Sequence, residues 1–157
     1  MSDINLLLVE DDRSLATLLQ EYLGDAGYKV CLCTRGEEAI EKLKTEHFDL
    51  VLTDIVLPQV SGLCILDEAS GDPASTLVIL MTGYSGLEDA MHAVRNGAYD
   101  FVSKPFQFPE LCVRIDNAAR YQSLLRKFQV MDAGADAGVA HKAAAGVYSM
   151  RGDERPQ

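Results

Sequence analysis

Three short segments of this chain are apolar almost without interruption: Ile4 to Val9, broken only by Asn5, then Asp49 to Thr53 and Leu77 to Met81. A strand with one wet face alternates apolar and polar residues, whereas these runs do not, so they read as strands of a parallel sheet covered on both faces. Such a sheet needs crossover helices, and the segments between the runs supply them. Leu15, Leu18, Leu19, Tyr22, Leu23 and Ala26 fall on one helical stripe that stops at Gly27. Thr34 with Glu37 and Ser85 with Glu88 carry the hydroxyl-to-carboxylate spacing of a capping box.

The full order is strand 4–9, helix 13–26, strand 28–33, helix 36–46, strand 49–53, helix 62–70, strand 76–81, helix 86–96, strand 98–102 and helix 109–127. Strict alternation with right-handed crossovers implies an α/β, doubly wound, five-stranded parallel sheet of flavodoxin-like type, strand order 2-1-3-4-5. Residues 1–128 are expected to form this domain. Residues 129–157, rich in Ala and Gly without an apolar period, are expected to be a flexible tail.

Composition removes several classes of function. A net charge of -10 offers no clustered cations for a phosphate backbone, so direct nucleic-acid binding is not expected. No apolar run approaches the roughly 18 residues of a membrane span, and the amino terminus lacks the basic and small-residue flanks of a signal peptide, which makes a cytoplasmic location the expectation. Cys31, Cys33, Cys64 and Cys112 are scattered in a pattern unlike a zinc site and read as small, buried apolar residues in a reducing compartment.

In a doubly wound sheet the chemistry gathers at the carboxyl ends of the strands. The first strand runs into Glu10, Asp11 and Asp12, the third ends in Asp54, the fourth in Thr82, and the fifth in Ser103, Lys104 and Pro105. Taken singly, each is ordinary: an acidic loop, a strand terminator, a turn hydroxyl, a surface lysine. Together they put three or more carboxylates beside one ammonium and one hydroxyl. Such a cluster calls for a cation, and oxygen-only ligands suit Mg²⁺. With the metal and Lys104 neutralising a phosphoryl group, Asp54 is a candidate nucleophile.

The segments LLLVEDD, DLVLTDIVLPQVSG, VILMTGY and GAYDFVSKPF, in this order, resemble the signature segments of two-component response-regulator receiver domains over about residues 3–124, with a flavour of NtrC-like activators. The resemblance implies that Asp54 is the phosphoacceptor and that Glu10, Asp11, Asp54 and the backbone carbonyl of Val56 hold Mg²⁺. It implies that Thr82 and Lys104 contact the phosphoryl group, that Thr82 and Phe101 form the switch, and that the Lys104–Pro105 peptide is cis. The donor would be a phosphohistidine on a sensor histidine kinase or phosphotransfer protein, and the output a downstream protein or a phosphorylation-dependent homodimer. The protein would then be a signalling switch that catalyses only its own phosphorylation and dephosphorylation.

Gln59, Val60 and Ser61 depart from the commoner loop after the phosphoacceptor, with Ser61 able to cap the next helix. Val56 and Tyr84, two residues beyond Asp54 and Thr82, occupy positions that, as the resemblance implies, influence attack by water on the acyl phosphate. An apolar residue and a bulky ring there should hinder it, which leads us to expect a phosphoaspartate that lasts minutes or longer. Three other readings are open: the receiver part of a longer NtrC-like transcription factor, a phosphorylation-independent interaction module, and a flavodoxin-like cofactor binder. The acids after the first strand oppose the last, because they would repel a phosphate in the absence of metal. A dehalogenase-type phosphatase would need a paired Asp-x-Asp after that strand, which is missing.

Overall fold

The computed structural model describes residues 3–83 and 87–134. Five strands and five helices alternate: β1 (Asn5–Val9), α1 (Arg13–Asp25), β2 (Lys29–Cys33), α2 (Gly36–Thr45), β3 (Leu50–Asp54), α3 (Gly62–Ala69), β4 (Leu77–Thr82), α4 (Leu87–Arg95), β5 (Asp100–Ser103) and α5 (Phe108–Gly134). All neighbouring strands are parallel, as the alternation predicted, and their order is the expected β2-β1-β3-β4-β5.

The uninterrupted apolar runs are explained by the two layers they serve. Leu6 and Leu8 face the side covered by α1 and α5, where they meet Leu19, Leu23, Leu111 and Ile115. Leu7 and Val9 point to the opposite side, where Ala39, Ile65, Leu66 and Ala90 of α2, α3 and α4 cover them. Each such buried leucine contributes about 2 kcal/mol of transfer free energy, so the three central strands carry most of the core.

Helix ends follow local chemistry. Asp12 caps α1, its carboxylate accepting from the amides of Ser14 and Leu15 at 3.1 and 3.2 Å. Gly27, at φ +107°, turns the chain into β2. Ser61 caps α3 as expected, accepting from the Leu63 amide at 3.0 Å. Gly62 sits where nothing larger fits: a Cβ there would lie 2.1 Å from the Asp54 carbonyl oxygen.

Five expectations are corrected. Of the four cysteines expected to be buried only Cys33 is; Cys31 and Cys112 are partly exposed, and Cys64 lies on the surface of α3. The capping box at Thr34 is not formed; Arg35 takes the N-cap position with no side-chain cap, because α2 begins at Gly36 and puts the Thr34–Glu37 spacing one residue out of register. Leu18 leaves the buried stripe and is 54% exposed, lying about 130° around α1 from the centre of the face formed by Ala16, Leu19 and Leu23. The fifth strand occupies Asp100–Ser103, two residues later than its expected start. The last helix runs to Gly134, so residues 129–134 of the expected tail belong to it. Side chains deep in that helix hold it down: Arg126 donates to the Ala74 carbonyl at 2.6 Å and to Asp49 Oδ1 at 2.7 Å, and Gln122 donates to the Asp49 carbonyl at 2.9 Å. The expectations for Tyr84, for the Ser85 cap and for residues 135–157 lie outside the described residues.

Candidate functional site

Strand register brings the predicted residues to one edge. Val9 pairs with Thr53, Asp54 with Met81 and Thr82 with Ser103, so Glu10, Asp54, Thr82 and Lys104 leave the sheet at the same level. Polar side chains are tolerated there because they satisfy one another. Glu10 is 1% exposed and Asp54 6%.

Lys104 is the centre of the arrangement. Its Nζ donates to Glu10 Oε1 at 2.7 Å and to Asp54 Oδ2 at 2.6 Å, linking the ends of the first, third and fifth strands. The remaining carboxylate oxygens are also used: Asp54 Oδ1 accepts from the Val56 amide and Glu10 Oε2 from the Asp12 amide, both at 3.0 Å. Burial pushes the Glu10 carboxyl above the usual range, against the downward pull of its hydrogen bonds to Lys104 and Asp12. For Lys104 burial alone would favour the neutral amine, yet its bonds to Asp54 and Glu10 outweigh it and hold the ammonium above its ordinary value. The lysine is therefore a fixed cation. The Lys104–Pro105 peptide is cis.

Asp11 is exposed and stands beside this pair. Glu10, Asp11 and Asp54 each offer an oxygen within 4.8 Å of the other two. Oxygens on opposite sides of an octahedral Mg²⁺ shell are about 4.2 Å apart and adjacent ones about 3 Å, so the three carboxylates fit that ion with modest adjustment. All donors are oxygen, the hard set that Mg²⁺ prefers. Val56 is 65% exposed at the mouth of the pocket.

The two residues expected to form a switch lie further along the same edge. Thr82 is fully buried and its hydroxyl donates to the Gly83 carbonyl at 3.0 Å. Phe101 is half-buried and packs on the layer formed by α2, α3 and α4. Sequence reasoning missed the Asp12 cap and the Asp54–Val56 amide bond. An Asp directly before a helical stripe was a readable signal for the first; the second depends on loop geometry that no local pattern encodes.

A five-stranded 2-1-3-4-5 sheet with a lysine-bridged acidic pocket at its carboxyl edge defines a class, and comparison with known proteins agrees. The chain belongs to the response regulator receiver domain family, whose sequence profile matches residues 6–116. Members are signalling switches of two-component systems. It is 39% identical over 127 residues to the transcriptional regulatory protein DltR of Streptococcus agalactiae, covering 81% of this chain and 57% of that protein. It is 36% identical over 116 residues to the transcriptional regulatory protein ZraR of Escherichia coli, covering 74% of this chain and 26% of that protein. This chain thus spans only part of the length of these relatives. Among solved structures, the signal receiver domain of a LuxO repressor protein from Vibrio parahaemolyticus superposes with a TM-score of 0.73 at 29% identity, covering 80% of this chain and 96% of that one. Among the described residues no helix is long and apolar enough to cross a membrane.

Proposed function

We propose that this receiver domain takes a phosphoryl group onto Asp54 from a phosphohistidine of a sensor histidine kinase or phosphotransfer protein. The observation that carries the reading is the Lys104 ammonium held between Glu10 and Asp54 at 2.7 and 2.6 Å. It places a permanent positive charge where a transferred group would bring negative oxygens. A carboxylate oxygen of Asp54 attacks phosphorus, the phosphorus–nitrogen bond breaks, and its electron pair returns to the imidazole, which takes up a proton. Mg²⁺, held by Glu10, Asp11, Asp54 and the Val56 carbonyl, would supply further charge neutralisation when bound.

After transfer, Lys104 can follow the phosphoryl oxygens, and the Thr82 hydroxyl is one strand away with only a neighbouring carbonyl to give up. Inward movement of Thr82 would free space for Phe101 to turn further into the layer it already touches, reshaping the face made by α4, β5 and α5. That face would recruit a downstream protein or a second copy of the chain. The net charge of -10 speaks against direct nucleic-acid binding by these residues.

Incubation with acetyl phosphate and Mg²⁺, read by intact mass, should add one phosphoryl mass of about 80 Da. The adduct should vanish with chelator and with Asp54→Asn, and after donor removal it should persist for minutes or longer. No adduct with acetyl phosphate and no binding of a beryllofluoride mimic overturns the assignment in favour of a phosphorylation-independent interaction module, and an adduct that survives Asp54→Asn overturns it in favour of another acceptor residue. A second reading, the receiver of a longer transcriptional regulator, is favoured by relatives of that description of which this chain spans 57% and 26%. The full-length gene tests it.

A further inference from the structure

A cavity of about 810 Å³ lies at the opposite end of the sheet from Asp54, between the amino ends of β4 and β5, the carboxyl end of α4 and the middle of α5. Its size is that of a small-molecule site, about 300–1,000 Å³. Leu77 and Val78 form an aliphatic floor, and Tyr99 and Tyr121 contribute an aromatic wall, their ring centroids 5.5 Å apart and their planes tilted by 33°.

The charge on this cavity is one-sided. Among the described residues that line it, Arg95 is the one side chain charged at neutral pH. It is exposed and makes no ion pair among the described residues. The end of α4 does little to offset it, because three of its last carbonyls are already taken: His92 by the Asn96 amide at 3.2 Å, Val94 by Gly97 at 3.4 Å and Ala93 by Ala98 at 3.0 Å. An apolar, aromatic-walled recess with one uncompensated guanidinium at its rim matches a ligand with a flat aromatic body and an anionic group that accepts two parallel N–H bonds.

We propose that this cavity is a binding site for a small aromatic carboxylate, its ring against Tyr99 and Tyr121 and its carboxylate paired with Arg95. It shares no residue with the Asp54 pocket, so it stands or falls independently of the phosphoryl reading. The test is a titration of the unphosphorylated full chain with naphthoate, followed by amide chemical shifts.

Saturable binding is expected, with shifts confined to residues 70–78 and 94–99 and to the turn of α5 around Tyr121. Naphthamide, with the same rings and no charge, should bind about tenfold more weakly, the loss of one charge-assisted pair. Arg95→Gln should bring naphthoate down to the naphthamide level and Arg95→Lys should restore part of the difference, while acceptance of a phosphoryl group at Asp54 is unchanged in both. Shifts that fail to saturate at millimolar ligand, that centre on the outer face of α5 around Leu124 and Phe128, or that are indifferent to Arg95→Gln would overturn the proposal.

Discussion

Replacing Gly62 by Ala sets two effects of opposite sign against each other. Gly62 begins α3, and at an open helical position the exchange stabilises by about 0.5–1 kcal/mol through helix propensity. The added Cβ, however, would stand 2.1 Å from the Asp54 carbonyl oxygen, 2.8 Å from Ile55 Cα and 2.9 Å from the Asp54 carbonyl carbon. These are backbone atoms that cannot rotate aside, and restoring ordinary contact requires α3 or the end of β3 to move by about 1 Å. Overpacking of this kind costs about 3 kcal/mol at the upper end of its usual range, which leaves a net loss of about 2 kcal/mol, a substantial part of a typical domain's stability. Urea unfolding should show this loss, and the displaced Asp54 should accept a phosphoryl group more slowly. Two other glycines calibrate the measurement. Gly24, whose Cβ would meet nothing within 4 Å, should gain about 0.5 kcal/mol on the same exchange, and Gly36, which would press mainly on the Val60 side chain at 2.9 Å, should fall between. A Gly62→Ala protein as stable as wild type, with unchanged phosphorylation, refutes the reasoning.

Arg126→Ala should cost about 1–2 kcal/mol in denaturant unfolding, since it strips a nearly buried Asp49 carboxylate of its cation; the partial exposure of Arg126 keeps the figure at the lower end for such pairs. The Tyr28 hydroxyl, buried and donating to Asp116, is pushed well above its ordinary 10.0 by that burial and by the carboxylate. A folded-state value above the unfolded one gives stability that is complete below pH 10 and lost as pH rises beyond it, so the urea midpoint of wild type should fall more steeply above pH 10 than that of Tyr28→Phe. Cys64 is exposed while the buried Cys33 thiol is pushed up to about 12, so alkylation of the native protein at pH 8 should label Cys64 and spare Cys33 until the chain is unfolded; peptide mapping reads the order.

Much of the architecture was legible because a strand covered on both faces cannot hide its composition: Leu6 to Val9, Leu50 to Leu52 and Leu77 to Met81 leave few other ways to fold. The candidate site was legible for a related reason. Its members sit immediately after those runs, so locating the strands located Glu10, Asp54, Thr82 and Lys104 as well. Legibility failed where a decision rests on one residue of register, as at Thr34, where the helix starts one position later than the capping pattern demands. It failed again where partners are remote in sequence. Nothing near Arg126 announces that it will meet Asp49, 77 residues earlier. Leu18 shows a third limit, since periodicity marks a stripe but not its edges.

Strand β3 has a different attachment at each of its ends. Asp54 closes one end and meets Lys104; Asp49, just before the other, receives Arg126 and Gln122 from α5. The strand between them is only about 17 Å long and wholly buried, whereas α5 runs for about 40 Å. The long helix is therefore a pointer mounted on the same rod that carries the acidic pocket. Its tip at Gly134 stands about 12 Å past Arg126, so an angular error of about 5° at that mounting displaces the tip by only about 1 Å, and the end of the helix keeps its bearing with respect to Asp54.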